Sequence, residues 1–102
     1  MTYTCAVQVE SSIVELCVIS ESPESWRWFF GFPNCPKLQE GTSETKVAAQ
    51  IAAQLAFEHR LERAGLKRWA SDEYYWQTGF ADPQEQFIQS WSRSTEENNP
   101  DL

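Results

Sequence analysis

The chain has 102 residues, 41% of them hydrophobic and 14% aromatic, with a formal net charge of −7 from 15 acidic and 8 basic residues. That length suits one ordinary domain and leaves no room for two full cores. The charge disfavours spontaneous contact with nucleic acid or anionic membrane, so any such contact needs a local basic patch. No run is long enough to span a bilayer. The first residues, MTYTCAVQVESS, lack the basic region and apolar block of a secretory signal, so a cytoplasmic location is expected.

Residues 3–10, YTCAVQVE, alternate as a half-buried strand does, with Tyr3, Cys5, Val7 and Val9 on one face. Ser11 and Ser12 permit a tight reversal, and residues 13–20, IVELCVIS, are apolar on both faces apart from Glu15, which suits a central strand. Pro23 breaks the pattern in ESPES and belongs in a connection. Residues 26–32, WRWFFGF, alternate again, with Trp26, Trp28, Phe30 and Phe32 facing one way and Arg27, Phe29 and Gly31 the other. Three such strands with short connections form an antiparallel meander most simply. The segment PNCPKLQEGT is irregular, with room for a short extended piece at Lys37–Gln39.

A long helix is expected from Thr42 or Ser43 to Gly65, with a core stripe of Val47, Ile51 and Leu55 widened by Ala48, Ala52, Phe57 and Leu61. Arg60 and Arg63 complement its dipole, and Gly65 terminates it. Further on, Asp82, Pro83 and Glu85 have the chemistry of a helix start, and Phe87, Ile88 and Trp91 would give that second helix an apolar face. The expected architecture is therefore α+β: a three-stranded antiparallel sheet packed against one long helix, with a short C-terminal helix. Residues 1–94 would form the single domain and 95–102 a flexible acidic tail.

The three cysteines, Cys5, Cys17 and Cys35, are odd in number and widely spaced, which points to reduced thiols rather than a disulfide framework. With a single histidine, His59, and no metal-knuckle spacing, no metal or cofactor is expected. Catalysis has little to stand on: Cys17 belongs to an apolar strand where burial makes a thiol inert, and no spacing ties Cys35 to His59. The surplus is aromatic. Trp26, Trp28, Phe30 and Phe32 have the look of a core face under an alanine-rich helix, whereas Phe29 points the other way beside Arg27. Tyr74, Tyr75, Trp76 and Phe80 crowd a segment without clear periodicity, in the composition of interface hot spots, or else cap the open edge of the small core or complete it as a fourth strand. Arg27, Phe29, Tyr74, Tyr75 and Trp76 are thus the interface candidates. Lys46, Arg60, Arg63, Lys67 and Arg68 are the candidates for nucleic-acid or anion contacts, against an ordinary role in dipole compensation and pairing with Glu58 and Glu62.

Two family resemblances arise. Phe32–Pro33–Asn34 and Gly41–Thr42, ahead of an alanine-rich helix, resemble the F-P-D-L-P-G-C phrase and G-D-T turn of HicB-like antitoxin domains over roughly the first 60 residues, although Lys37 stands where that family has glycine. The resemblance implies binding of a small toxin, with the C-terminal part assisting or contacting DNA. The run Thr45–Lys46–Val47–Ala48–Ala49–Gln50–Ile51–Ala52–Ala53 is similar to the helix opening of double-stranded RNA-binding domains, with Lys46 alone surviving of three lysines. With the phosphate contacts mostly gone, that topology implies protein binding or dimerisation before RNA recognition. The expected function is a small acidic protein-binding module, an adaptor, inhibitor or antitoxin-like protein acting stoichiometrically, rather than an enzyme. The alternatives are a nucleic-acid-binding domain using the local basic patch and a small enzyme using Cys35 or a dispersed acidic site. The expected partner is an unidentified protein, with a symmetric homodimer through an exposed edge strand also open.

Overall fold

The computed structural model describes residues 1–69, 72–79 and 89–93. Strands β1 (Thr2–Val9), β2 (Ser12–Ser22) and β3 (Ser25–Gly31) form the expected antiparallel meander. Glu10, at φ 55°, takes the left-handed conformation that closes the first hairpin, where Val9 pairs with Ser12. Pro23 and Glu24 make the second reversal between Ser22 and Ser25, with a register irregularity at Ser20–Ser22. The register lays Cys5, Leu16 and Phe30 in one row, and Tyr3, Val18 and Trp28 in the next.

Among the described residues the sheet has seven strands rather than three. Strand β4 (Gln39–Ser43) pairs antiparallel with β3, after which come α1 (Lys46–Arg63), β5 (Leu66–Trp69), β6 (Gln77–Thr78) and β7 (Ser90–Arg93). The order across the sheet is β4-β3-β2-β1-β7-β5, with β6 also on β1. β7 runs parallel to β1 through Gln8–Ser90 and Val9–Trp91, and antiparallel to β5. The additional strands are short and polar, so nothing in their own residues alternates strongly. QEGTS is held by its partner instead: a Cβ on Gly41 would meet the Trp28 indole at 2.5 Å, so glycine lets the ring lie against β4.

The C-terminal expectation changes with β7. Trp91, placed on the apolar face of a second helix, is in this strand and is 1% exposed. The rest of that expected helix, from Asp82, lies outside the described residues, as does the expected tail 95–102. Gln89 explains part of the packing here. Its amide donates to the Glu73 carbonyl at 3.0 Å and accepts from the Trp91 indole N–H at 2.5 Å, so a buried polar side chain ties two distant segments together.

Helix α1 begins later than expected. Thr42 and Ser43 end β4, and Thr45 is the cap, its Oγ1 accepting from the Ala48 N–H at 3.1 Å. Gly65 closes the helix at φ 85°, its N–H donating to the Glu62 carbonyl. The buried side of α1 is Ala49, Ala53, Phe57 and Leu61, which replaces the expected stripe of Val47, Ile51 and Leu55. Volume decides this. Trp28 and Phe30 rise from the sheet, and alanines opposite them allow close approach where larger groups would not fit. Phe57 then fills the widening gap. Its ring meets Phe30, Trp91 and Tyr74 edge-on, at centroid distances of 5.8, 5.8 and 6.3 Å. At the other end of the sheet face Trp26 is only half-buried, tilted against Tyr3, and Phe32 is exposed beyond the end of β3.

Candidate functional site: an exposed apolar stripe on the helix

Val47, Ile51 and Leu55 step by four residues, so they line one face of α1. They are 57%, 49% and 60% exposed, on the side turned away from the sheet. Three large aliphatic groups in one line on an otherwise acidic protein are the kind of feature that single scattered surface leucines are not. Farther along the helix a groove of about 640 Å³ opens beside Leu55, lined also by Gln39 of β4, Ala56, His59 and Glu62.

The segment before β6 borders the stripe. The Tyr74 hydroxyl donates to Glu58 at 2.6 Å, and the Trp76 indole N–H donates to Gln54 at 2.8 Å. Gln54 follows Ile51 by three positions and Glu58 follows Leu55 by three, so each acceptor neighbours a stripe residue on the helix surface. Both rings are half-buried and both have their polar atoms satisfied. Burial and the bond to Glu58 push the Tyr74 phenol above its ordinary range, so it remains a neutral donor. Arg68 also binds Glu58, at 2.9 Å, and its guanidinium stands over the Trp91 ring. This small network fixes the border of the stripe to the core beneath it.

The remaining interface candidates are elsewhere. Tyr75 is 47% exposed between the two anchored rings. Arg27 and Phe29 project from the opposite face of the sheet, away from α1. Arg27 pairs with Glu21 at 3.4 Å, and the half-buried Phe29 ring is covered by the Lys37 ammonium at 4.6 Å. Phe29 shares a pocket of about 180 Å³ with Cys17 and Cys35. The fold therefore gathers Tyr74, Tyr75 and Trp76 in one segment and leaves Arg27 and Phe29 on the other side.

The basic candidates also divide. Lys46 lies over the Tyr3 ring at 4.4 Å and Arg68 is paired with Glu58. Arg60, Arg63 and Lys67 are exposed around the end of α1, and none makes an ion pair among the described residues. Arg93 binds the Ala64 carbonyl at 3.1 Å and Glu10 at 3.8 Å, clipping β7 to the helix end and to the first hairpin.

The thiols are unpaired. Burial raises Cys5 to about 12, offset in part by a Tyr75 backbone hydrogen bond. Burial, with the Glu15 carboxylate nearby, raises Cys17 to about 11. Neither is a thiolate at neutral pH, so neither is poised as a nucleophile. Cys35 is exposed in the loop after β3. Among the described residues no group of three or more His, Cys, Asp or Glu side chains could hold a metal ion, and no helix is long and apolar enough to cross a membrane.

The stripe was within reach of the sequence, because its residues repeat regularly, yet size alone pointed them inward. The missing signal was the volume of Trp28 and Phe30 across the interface, where the helix buries Ala49 and Ala53. Comparison with protein-family models, with curated proteins and with solved structures finds no match.

Proposed function

We propose that this protein is a stoichiometric protein-binding module whose docking face is the Val47–Ile51–Leu55 stripe of α1, bordered by Tyr74 and Trp76. The observation that carries this reading is the exposure of all three aliphatic side chains on a helix whose other side supplies the core. An apolar line flanked by satisfied aromatic rings suits a helix or extended segment laid along it. Burial of the three side chains supplies affinity, and the Tyr and Trp rings supply rigid contact area.

Charge selects the partner. Glu44 precedes the helix and Glu62 follows the stripe, both exposed, in a chain of net charge −7. The fitting occupant is a protein segment with an apolar face rimmed by Lys or Arg. Arg60 and Arg63 are also exposed at that end of the helix, so a second copy is the competing occupant, which the test separates from a basic partner.

The test is affinity capture from nuclease-treated extract of the source organism, with wild type and Ile51→Lys side by side. A partner that survives nuclease, weakens with added salt and disappears with Ile51→Lys supports the proposal. An identical set of captured proteins for both overturns it. Dimer formation that Ile51→Lys abolishes, with no heterologous partner, would replace the basic partner by a second copy. Arg60, Arg63 and Lys67, unpaired among the described residues, sustain nucleic acid as a second reading, which requires the captured signal to vanish with nuclease and with neutralisation of those three residues.

A further inference from the structure

A second site stands apart from the stripe, where the sheet and the last turns of α1 diverge. There a cavity of about 320 Å³ opens between Val9, Val14 and Phe30 of the sheet, Leu61 of the helix, and Leu38 of the loop after β3. That volume lies within the range of small-molecule pockets, and its walls are almost wholly apolar. Two charged side chains reach it, Glu10 and Arg60. Glu10 already has a cation, the Arg93 guanidinium at 3.8 Å. Arg60 has no hydrogen bond or ion pair among the described residues. The Ala64 carbonyl at the helix end accepts from Arg93, and the Glu62 and Leu61 carbonyls accept from Gly65 and Ala64. Those helix-end acceptors are thus occupied, and among the described residues the uncompensated charge at the opening is the Arg60 guanidinium.

We infer that this cavity binds a single-chain amphipathic carboxylate, its apolar chain between the sheet and Leu61 and its carboxylate on Arg60. The chemistry is complementary at both ends. An alkyl chain gains the apolar walls, and a carboxylate gains a planar guanidinium suited to paired hydrogen bonds. A cationic amphiphile would meet Arg60 as a like charge, and a neutral alcohol would leave it unpaired.

The test is a ¹H–¹⁵N NMR titration of the full chain with sodium octanoate, below its micelle concentration, with 1-octanol as the neutral control. Saturable shifts at Val9, Leu38, Leu61 and Ala64 are expected, with 1-octanol binding several-fold more weakly. Lengthening the acid from hexanoate to octanoate should tighten binding about fourfold per methylene. Arg60→Gln, at an exposed position, should weaken octanoate about fivefold and leave 1-octanol unchanged. Leu38→Trp, which fills the cavity from its edge, should abolish both while circular dichroism stays native. Absence of saturable shifts, shifts centred on other residues, or equal affinity for octanoate and 1-octanol would overturn the assignment. The outcome is independent of the helix stripe, which shares no residue with this cavity.

Discussion

Two lines of residues on one helix behave in opposite ways. Ala49, Ala53, Phe57 and Leu61 repeat every four positions and are buried, whereas Val47, Ile51 and Leu55 repeat every four positions and are exposed. The buried line opens with the two smallest apolar side chains and the exposed line consists of three large ones. Hydrophobicity by itself ranks them the wrong way round. What separates them is the surface each must meet: a sheet crowded with Trp28 and Phe30 leaves room for alanine, and the gap then widens to admit Phe57.

The contrast can be broken most forcefully at Phe57. Its ring touches Phe30, Tyr74 and Trp91, and Phe57→Ala should cost about 3–5 kcal/mol in urea unfolding. Leu55→Ala, two positions away and 60% exposed, should fall within about 0.5 kcal/mol of wild type. Equal losses would show that both lines are core.

A smaller effect probes the tight side of the same packing. Ala53→Leu should cost roughly 1–3 kcal/mol by overpacking, as should Gly41→Ala, whose new Cβ would meet the Trp28 ring at 2.5 Å. If Ala53→Leu were neutral in the same unfolding assay, the close approach of helix and sheet would be wrong.

High pH sharpens the comparison further. The buried Cys5 and Cys17 thiols and the Tyr74 phenol all hold their protons more tightly in the folded chain than in the unfolded one. The thiol contribution is whole below the ordinary value of 9.0 and the phenol contribution below 10.0, and each is lost as pH rises above that value, because the unfolded chain ionises first. Cys5 alone should impose a slope of about 1.4 kcal/mol per pH unit above 9.0. Stability that stays flat through pH 11 in denaturant titrations would contradict the burial of these groups. The least perturbing probe is alkylation: native protein should take one iodoacetamide, at Cys35, with Cys5 and Cys17 reacting only after unfolding.

Parts of this molecule were legible in its residues. The meander of β1, β2 and β3 follows from alternation in the outer two and a β-branched apolar run in the middle one, and Tyr3 with Cys5, and Trp28 with Phe30, share faces as expected. Gly65 ends the helix as its conformational freedom suggests. The other strands were hidden for a physical reason. QEGTS, LKRW and SWSR are four or five residues long and carry few apolar groups; QEGTS is held by pairing with its neighbour β3, and LKRW and SWSR by pairing with residues far away in the chain. Trp91 shows the consequence, since its neighbours favoured a helix and its tertiary contacts make it a strand residue. The candidate site was half legible: Tyr74 and Trp76 stood out by composition, but their role beside the stripe depends on hydrogen bonds to Gln54 and Glu58. No spacing could reveal those.

The most direct test of the account places a charge in the middle of the exposed line. Ile51→Lys should unfold within about 0.5 kcal/mol of wild type, with the same cooperativity, while nuclease-resistant capture of a basic partner is lost. A drop of several kcal/mol in the same denaturation experiment would mean that Ile51 belongs to the core, and the stripe would no longer be a docking face.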